Sequence, residues 1–155
     1  MIRLATLLAA ALLAGAAFAH DYSIGGVKID HPWSRATPPG AQVAVGYMRI
    51  VNTSDAPVTL VGGSADFADV QLHSMTVKDG MMLMEDIPDG LTIAPGESLT
   101  FEPGGLHLMF TDIDGPFVEG ETRKATLDFG EAGTVEVDFS VGGMGATHDH
   151  GAMTQ

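Results

Sequence analysis

The chain has 155 residues, 45% of them hydrophobic and 17% charged, with a formal net charge of −13, 20 glycines, 8 prolines and no cysteine. That is enough chain for one domain with its own core, and the glycine and proline content favours many turns over long helices. The acidic balance argues against nucleic acid and anionic membrane surfaces as partners, and without cysteine the fold has no disulfide to lean on.

The first nineteen residues read as a secretory signal peptide. Arg3 supplies the positive start, Leu4 to Phe18 is an apolar, alanine-rich run, and Ala17-Phe18-Ala19 has the small-x-small form of a cleavage site. The run is shorter than the ~20 residues of a spanning helix. Cleavage after Ala19 makes His20 the mature N-terminus and delivers the protein to the periplasm. Tyr22 to Asp30 then reads as a strand carrying a bulge at Gly25-Gly26, ended by His31-Pro32-Trp33. After the Thr37-Pro38-Pro39-Gly40 loop, Gln42 to Asn52 is near-continuously apolar and predicts a central strand. Pro57 to Val61 predicts another, with Gly62-Gly63 as its end. Further on, Thr122 to Phe129 and Thr134 to Val141 alternate with period two and predict a closing hairpin. Short strands at regular spacing with no helical period predict an all-β, antiparallel sandwich or barrel over residues 20–141.

Between these flanks, the stretch from His73 to Met109 holds His73, Met75, Met81, Met82, Met84, His107 and Met109. Strand alternation puts His73 and Met75 on one face of the run Val70 to Val77. Asp79-Gly80 is a strong two-residue hairpin signal, because a type I′ turn needs φ > 0 at both central residues. Such a loop sets Lys78 against Met81, Val77 against Met82, Met75 against Met84 and His73 against Asp86. His73, Met75, Met82 and Met84 then share one face, with His73 and Met84 diagonal neighbours roughly 7–8 Å apart. Leu72, Met81 and Leu83 fall on the other, which reads as core. In Leu106 to Phe110, the row Leu106, Leu108 and Phe110 suits the core and sends His107 and Met109 to the opposite side.

Taking His73 with Met84 and His107 with Met109, and leaving Met75 and Met82 as neighbours that shield or assist, gives two imidazoles and two thioethers, a soft, neutral ligand set that selects Cu(I) over zinc, calcium or magnesium. A blue-copper electron carrier is excluded, since it needs a cysteine thiolate. Binding without redox work remains. A hydrolytic enzyme built on Ser74 and His73 is rejected, because alternation puts their side chains on opposite faces. A plain interaction sandwich remains a rival and predicts no metal.

The order His-x10-Met-x22-His-x-Met, carried by His73, Met84, His107 and Met109, closely resembles the pattern of the PCuAC family of periplasmic copper chaperones. His31-Pro32-Trp33 with Arg35-Ala36, Gly46-Tyr47-Met48 leading to Asn52, Leu72-His73-Ser74-Met75 and Pro103 to Met109 extend the match over residues 22 to 141. The second spacing is one residue longer than the family's usual one, which falls in the turns between Met84 and His107. The resemblance implies a cupredoxin-like Greek-key sandwich that binds Cu(I) at an exposed site through those four residues. It also implies copper supply to the copper domain of cytochrome c oxidase, alongside a Sco-type assembly protein. The alternative is a periplasmic copper-sequestering or resistance protein with no dedicated acceptor. The glycine-rich tail, residues 142–155, is expected to be flexible. Its His148, His150, Met144 and Met153, with His20, form a candidate secondary site able to take Cu(II).

Overall fold

The computed structural model describes residues 21–147. These form twelve strands: β1 Asp21–Ile24, β2 Val27–Arg35, β3 Val43–Asn52, β4 Val58–Leu60, β5 Gly62–Ser64 and β6 Asp69–Lys78, then β7 Met81–Asp86, β8 Leu91–Ile93, β9 Ser98–Phe101, β10 His107–Thr111, β11 Thr122–Asp128 and β12 Thr134–Gly142. A single 3-10 turn, Gly130–Ala132, links the last two, and no α-helix occurs among the described residues. One large sheet runs β5-β11-β12-β2-β3-β10-β6-β7, with β1 added to β2 and β9 to β3, while β4 and β8 pair separately. All pairings are antiparallel except β12 with β2, so the sheet is mixed where the sequence predicted a purely antiparallel one.

The closing hairpin and the central strand form as predicted, and β3 lies inside the sheet between β2 and β10. Phe110 anchors the core, with ring centroids 5.4 Å from Phe67, 5.8 Å from Phe117 and 5.5 Å from Phe139. Gly46 makes this possible. A Cβ there would lie 2.9 Å from the Phe110 ring and 3.0 Å from that of Phe139, so only glycine lets both rings lie across β3.

Three sequence expectations are corrected. Gly25-Gly26 is no bulge but the loop of the β1–β2 hairpin, with φ of 53° and 79° and Ile24 paired to Val27. Two successive left-handed glycines satisfy a type I′ turn, which turns the chain back instead of kinking it. The irregularity falls instead at His31, where φ is 59° and the β2–β3 register shifts between Asp30 and Trp33, and β2 continues through Trp33 to Arg35 rather than ending there. Gly62-Gly63 does not end a strand but starts β5, which pairs with β11; a Cβ on Gly63 would stand 2.8 Å from the Thr126 carbonyl oxygen.

Candidate metal centre

The β6–β7 hairpin adopts the register that the Asp79-Gly80 turn predicts: Lys78 against Met81, Val77 against Met82, Met75 against Met84 and His73 against Asp86. On its other side β6 pairs with β10, setting His73 directly against His107 and Gln71 against Met109. Facing residues share a side of the sheet. One face therefore carries a row of His107, His73 and Asp86. Met109 lies diagonal to His73 on one side of this row and Met84 on the other. The register brings the two imidazoles together, with ring centroids 5.7 Å apart. It sets the two methionines at opposite corners with the imidazole pair between them.

Hydrogen bonds fix which ring nitrogens are free. His107 Nδ1 is 3.0 Å from the Gly105 carbonyl oxygen. A carbonyl only accepts, so Nδ1 carries the proton and Nε2 keeps its lone pair. His73 Nε2 is 3.0 Å from Gln71 Oε1, again an acceptor, with Asp86 Oδ1 at 3.8 Å, so in this ring Nδ1 keeps the lone pair. Both lone-pair nitrogens, His73 Nδ1 and His107 Nε2, are buried without a hydrogen-bond partner. Leaving a buried acceptor unsatisfied costs about 1–3 kcal/mol. Two such atoms on facing rings, each oriented by a bond at the ring's other nitrogen, form the arrangement that metal-ligating histidines adopt.

The face is graded in depth. His107 is 4% exposed and Met109 8%, because β10 is covered on both sides, whereas Met84 on the outermost strand is 50% exposed. Of the four candidate ligands in the expected exposed site, Met84 on β7 is thus the exposed one. Met81 at 64% and Leu83 at 36% are not core, contrary to the sequence reading. Their parity is as predicted, but β7 is the outermost strand and all six of its residues are exposed. Among the described residues no group of three or more His, Cys, Asp or Glu side chains could hold a metal ion; beside Asp86 and Gln71, this face offers the imidazole pair and the thioethers of Met84 and Met109 as a donor set. That donor set is soft and neutral, and it suits Cu(I).

Of the secondary candidates, His20, His148, His150 and Met153 lie outside the described residues, as does the stretch read as a signal peptide. Met144 is 66% exposed, two residues past β12. The tail's described root is held where the Ala146 carbonyl accepts Arg35 Nε at 2.7 Å. Sequence reasoning missed Gln71, although it shares parity with His73, and it missed Gly105, whose carbonyl leaves no side-chain signature. It also missed the aromatic flank. The Trp33 and Tyr47 rings lie 4.6 Å apart with the Arg35 guanidinium 5.9 Å from each. The β3–β10 register, carried one residue beyond Leu108 and Gly46, puts Tyr47 level with His107. Burial pushes the Tyr47 hydroxyl above its ordinary pKa, with the Arg35 charge acting the other way.

The fold is a cupredoxin-like β-sandwich of the kind seen in PCuAC domains. The apo PCuAC domain of PmoF2 is similar, with a TM-score of 0.69 and 32% identity over 83% of this chain and 99% of that one. The copper-bound form of that domain matches with a TM-score of 0.67 and 37% identity over 80% of this chain and 98% of that one. The solution structure of CuI-DR1885 from Deinococcus radiodurans matches with a TM-score of 0.59 and 29% identity over 83% and 85%. Residues 27–141 match the model of the family described as "Putative lipoprotein LpqE-like", and the chain belongs to this LpqE-like, PCuAC-type family. It is also 30% identical over 117 residues to "Putative lipoprotein Lxx21020" of Leifsonia xyli subsp. xyli, covering 75% of this chain and 69% of that protein.

Proposed function

We propose that this protein is an exported copper chaperone that holds Cu(I) through His73, Met84, His107 and Met109 and hands it on for cytochrome c oxidase assembly. The observation that carries the reading is the pair of buried, unpartnered nitrogens, Nδ1 of His73 and Nε2 of His107, on adjacent strands. A soft monovalent cation satisfies both at once, and thioethers complete its shell without a proton to lose. The copper-bound PmoF2 domain and CuI-DR1885 support the metal, and the description of the family and of the Leifsonia xyli relative as lipoproteins supports export. The half-exposed Met84 suits hand-over: it is the donor an acceptor reaches first, while His107 and Met109 stay covered.

Competition with a chromophoric Cu(I) chelator tests the ligand set. The double substitution Met84→Ala with Met109→Ala is expected to weaken binding beyond the roughly 10- to 100-fold that changes outside the ligand shell cost. An unchanged affinity removes the assignment. Delivery, as against sequestration, requires copper to reach an oxidase copper domain faster than it dissociates into solution.

We also assign the tail a Cu(II)-accepting role through His148 and His150, with Met144, Met153 and His20 as further donors. Deleting residues 148–155, which leaves β12 and the Ala146 contact intact, is expected to lower Cu(II) stoichiometry in a calorimetric titration. Unchanged stoichiometry and affinity would sink this assignment.

A further inference from the structure

We propose that the β6–β7 hairpin carries a second Cu(I) position, made by the thioethers of Met75, Met82 and Met84, one step outward from the imidazole pair. This rests on the ligand reading above, because the position is a way station for the ion held there.

The register supplies the geometry. On the imidazole side of the sheet, β6 presents His73, Met75 and Val77 in sequence, and β7 presents Asp86, Met84 and Met82 opposite them. Behind the imidazole row therefore comes a row of two facing thioethers, Met75 and Met84, and behind that a third thioether, Met82 against Val77. Successive rows are about 7 Å apart along a strand. Directly opposed Cβ atoms stand roughly 4.5–5.5 Å apart and diagonal ones about 7–8 Å, within reach of side chains as long as methionine. Met75 is opposite Met84 and diagonal to Met82, so three sulfurs can converge on one point between His73 and the hairpin tip.

Packing does not account for these residues. Met82 is 59% exposed and Met84 50%, on the outermost strand of the sheet, where there is no core gap to fill. Methionine is not among the β-branched and aromatic residues that strand propensity favours. Met75 is half-buried, and its backbone N–H donates to the Gly105 carbonyl at 3.1 Å, the same oxygen that orients His107. The outer position is thus fixed to the inner one through a single backbone atom. Asp79, Glu85 and Asp86 lie on the same hairpin with Lys78 as its one base, a local charge that favours a cation.

Three thioethers without an imidazole take Cu(I) or Ag(I) and reject Cu(II) and zinc. Met84 belongs to both sets. An ion moving outward keeps Met84 while exchanging the two imidazoles and Met109 for Met75 and Met82, one donor at a time. The copper stays monovalent and no proton is taken up or released by the thioethers.

The full chain labelled with [methyl-13C]methionine and titrated with Ag(I), a redox-inert stand-in for Cu(I), tests this by NMR. The first equivalent is expected to move the methyls of Met84 and Met109 and the ring signals of His73 and His107. The second is expected to move Met75, Met82 and Met84 and to leave Met81 and Met144 in place. In the variant Met75→Leu with Met82→Leu, which conserves apolar volume, Cu(I) affinity at the first equivalent is expected to stay within about twofold. Its release to excess chromophoric chelator is expected to slow by about tenfold or more. A second equivalent that leaves Met75 and Met82 unmoved overturns the proposal, as does a variant that releases copper as fast as wild type. Failure of the ligand reading itself looks different: the first equivalent would leave His73, His107 and Met109 unmoved whatever the hairpin methyls do.

Discussion

A single backbone oxygen, that of Gly105, accepts both His107 Nδ1–H and the Met75 N–H, so it fixes a ring tautomer and a strand position together. Parity in the sequence puts His107 and Met109 on one face, but it carries no information about which ring nitrogen is protonated. That depends on where the Gly104-Gly105 turn, with Gly104 at φ 83°, leaves a carbonyl. Residue-scale electrostatics is clearest away from this face. The Glu121 carboxylate accepts the Val118 N–H at 3.0 Å and Arg123 Nε at 2.8 Å. The backbone bond first, and then Arg123, hold its pKa below the ordinary carboxylate value. A lowered folded pKa means stability that is present above the ordinary value near 4 and is lost as pH falls through the folded one. Glu121→Gln is therefore expected to flatten the acid limb of a plot of denaturation midpoint against pH, with little change in slope above pH 6. An acid limb as steep as wild type would show that the bonds do not favour the ionised form.

At the scale of elements, the hairpin was legible in full because a two-residue turn converts register into arithmetic. Asp79 and Gly80 take φ of 52° and 75°, as a type I′ turn demands, and each pair follows. The burial of Met81 and Leu83 was not legible, since alternation assigns a face but cannot say whether anything covers it. The β1–β2 turn shows the same limit: two glycines inside an apolar run fit a bulge or a hairpin equally well. Glycines with similar backbone angles also differ in what surrounds them. Gly80 has φ 75° and nothing within 4 Å of a would-be Cβ, whereas Gly90 has φ 78° and a Cβ there would meet the Leu60 carbonyl oxygen at 2.5 Å. Gly80→Ala is expected to cost about 1–2 kcal/mol from the left-handed conformation alone. Gly90→Ala adds a backbone clash and is expected to cost more than about 3 kcal/mol. Urea denaturation at unchanged m-value separates the two, and equal costs would show that the loop at Gly90 yields freely.

For the molecule as a whole, the spacing of turns and the absence of a helical period sufficed for an all-β sandwich. Parity put His73, Met75, Met82 and Met84 on one face and paired His107 with Met109, and the family resemblance picked the four ligand candidates; that β10 lies beside β6 had no local signal. The parallel pairing of β12 with β2 had no local signal, since no turn joins those strands and their apolar alternation fits either direction. The grading of the site, covered at β10 and open at β7, likewise comes from strand order, which places β10 inside the sheet and β7 at its end.

That parallel seam joins Trp33 to Ser140, Val141 to Ser34 and Gly142 to Arg35, across more than a hundred residues of chain. Such a contact is topologically remote, and the loop-closure entropy must be met before the seam returns any free energy. Until the last strand arrives, the Trp33–Arg35 stretch of β2 beyond its pairing with β1 stands open and can pair with another chain. The molecule should therefore fold slowly, on the millisecond-to-second scale of high-contact-order β proteins. The sole tryptophan, Trp33, lies on the seam and is 6% exposed, so its fluorescence reports closure. Stopped-flow refolding is expected to show the main Trp33 change on that scale, following the formation of sheet signal in the far-ultraviolet. A Trp33 signal complete within microseconds would mean that the seam forms first and that the two ends of the chain, not its turns, nucleate the fold.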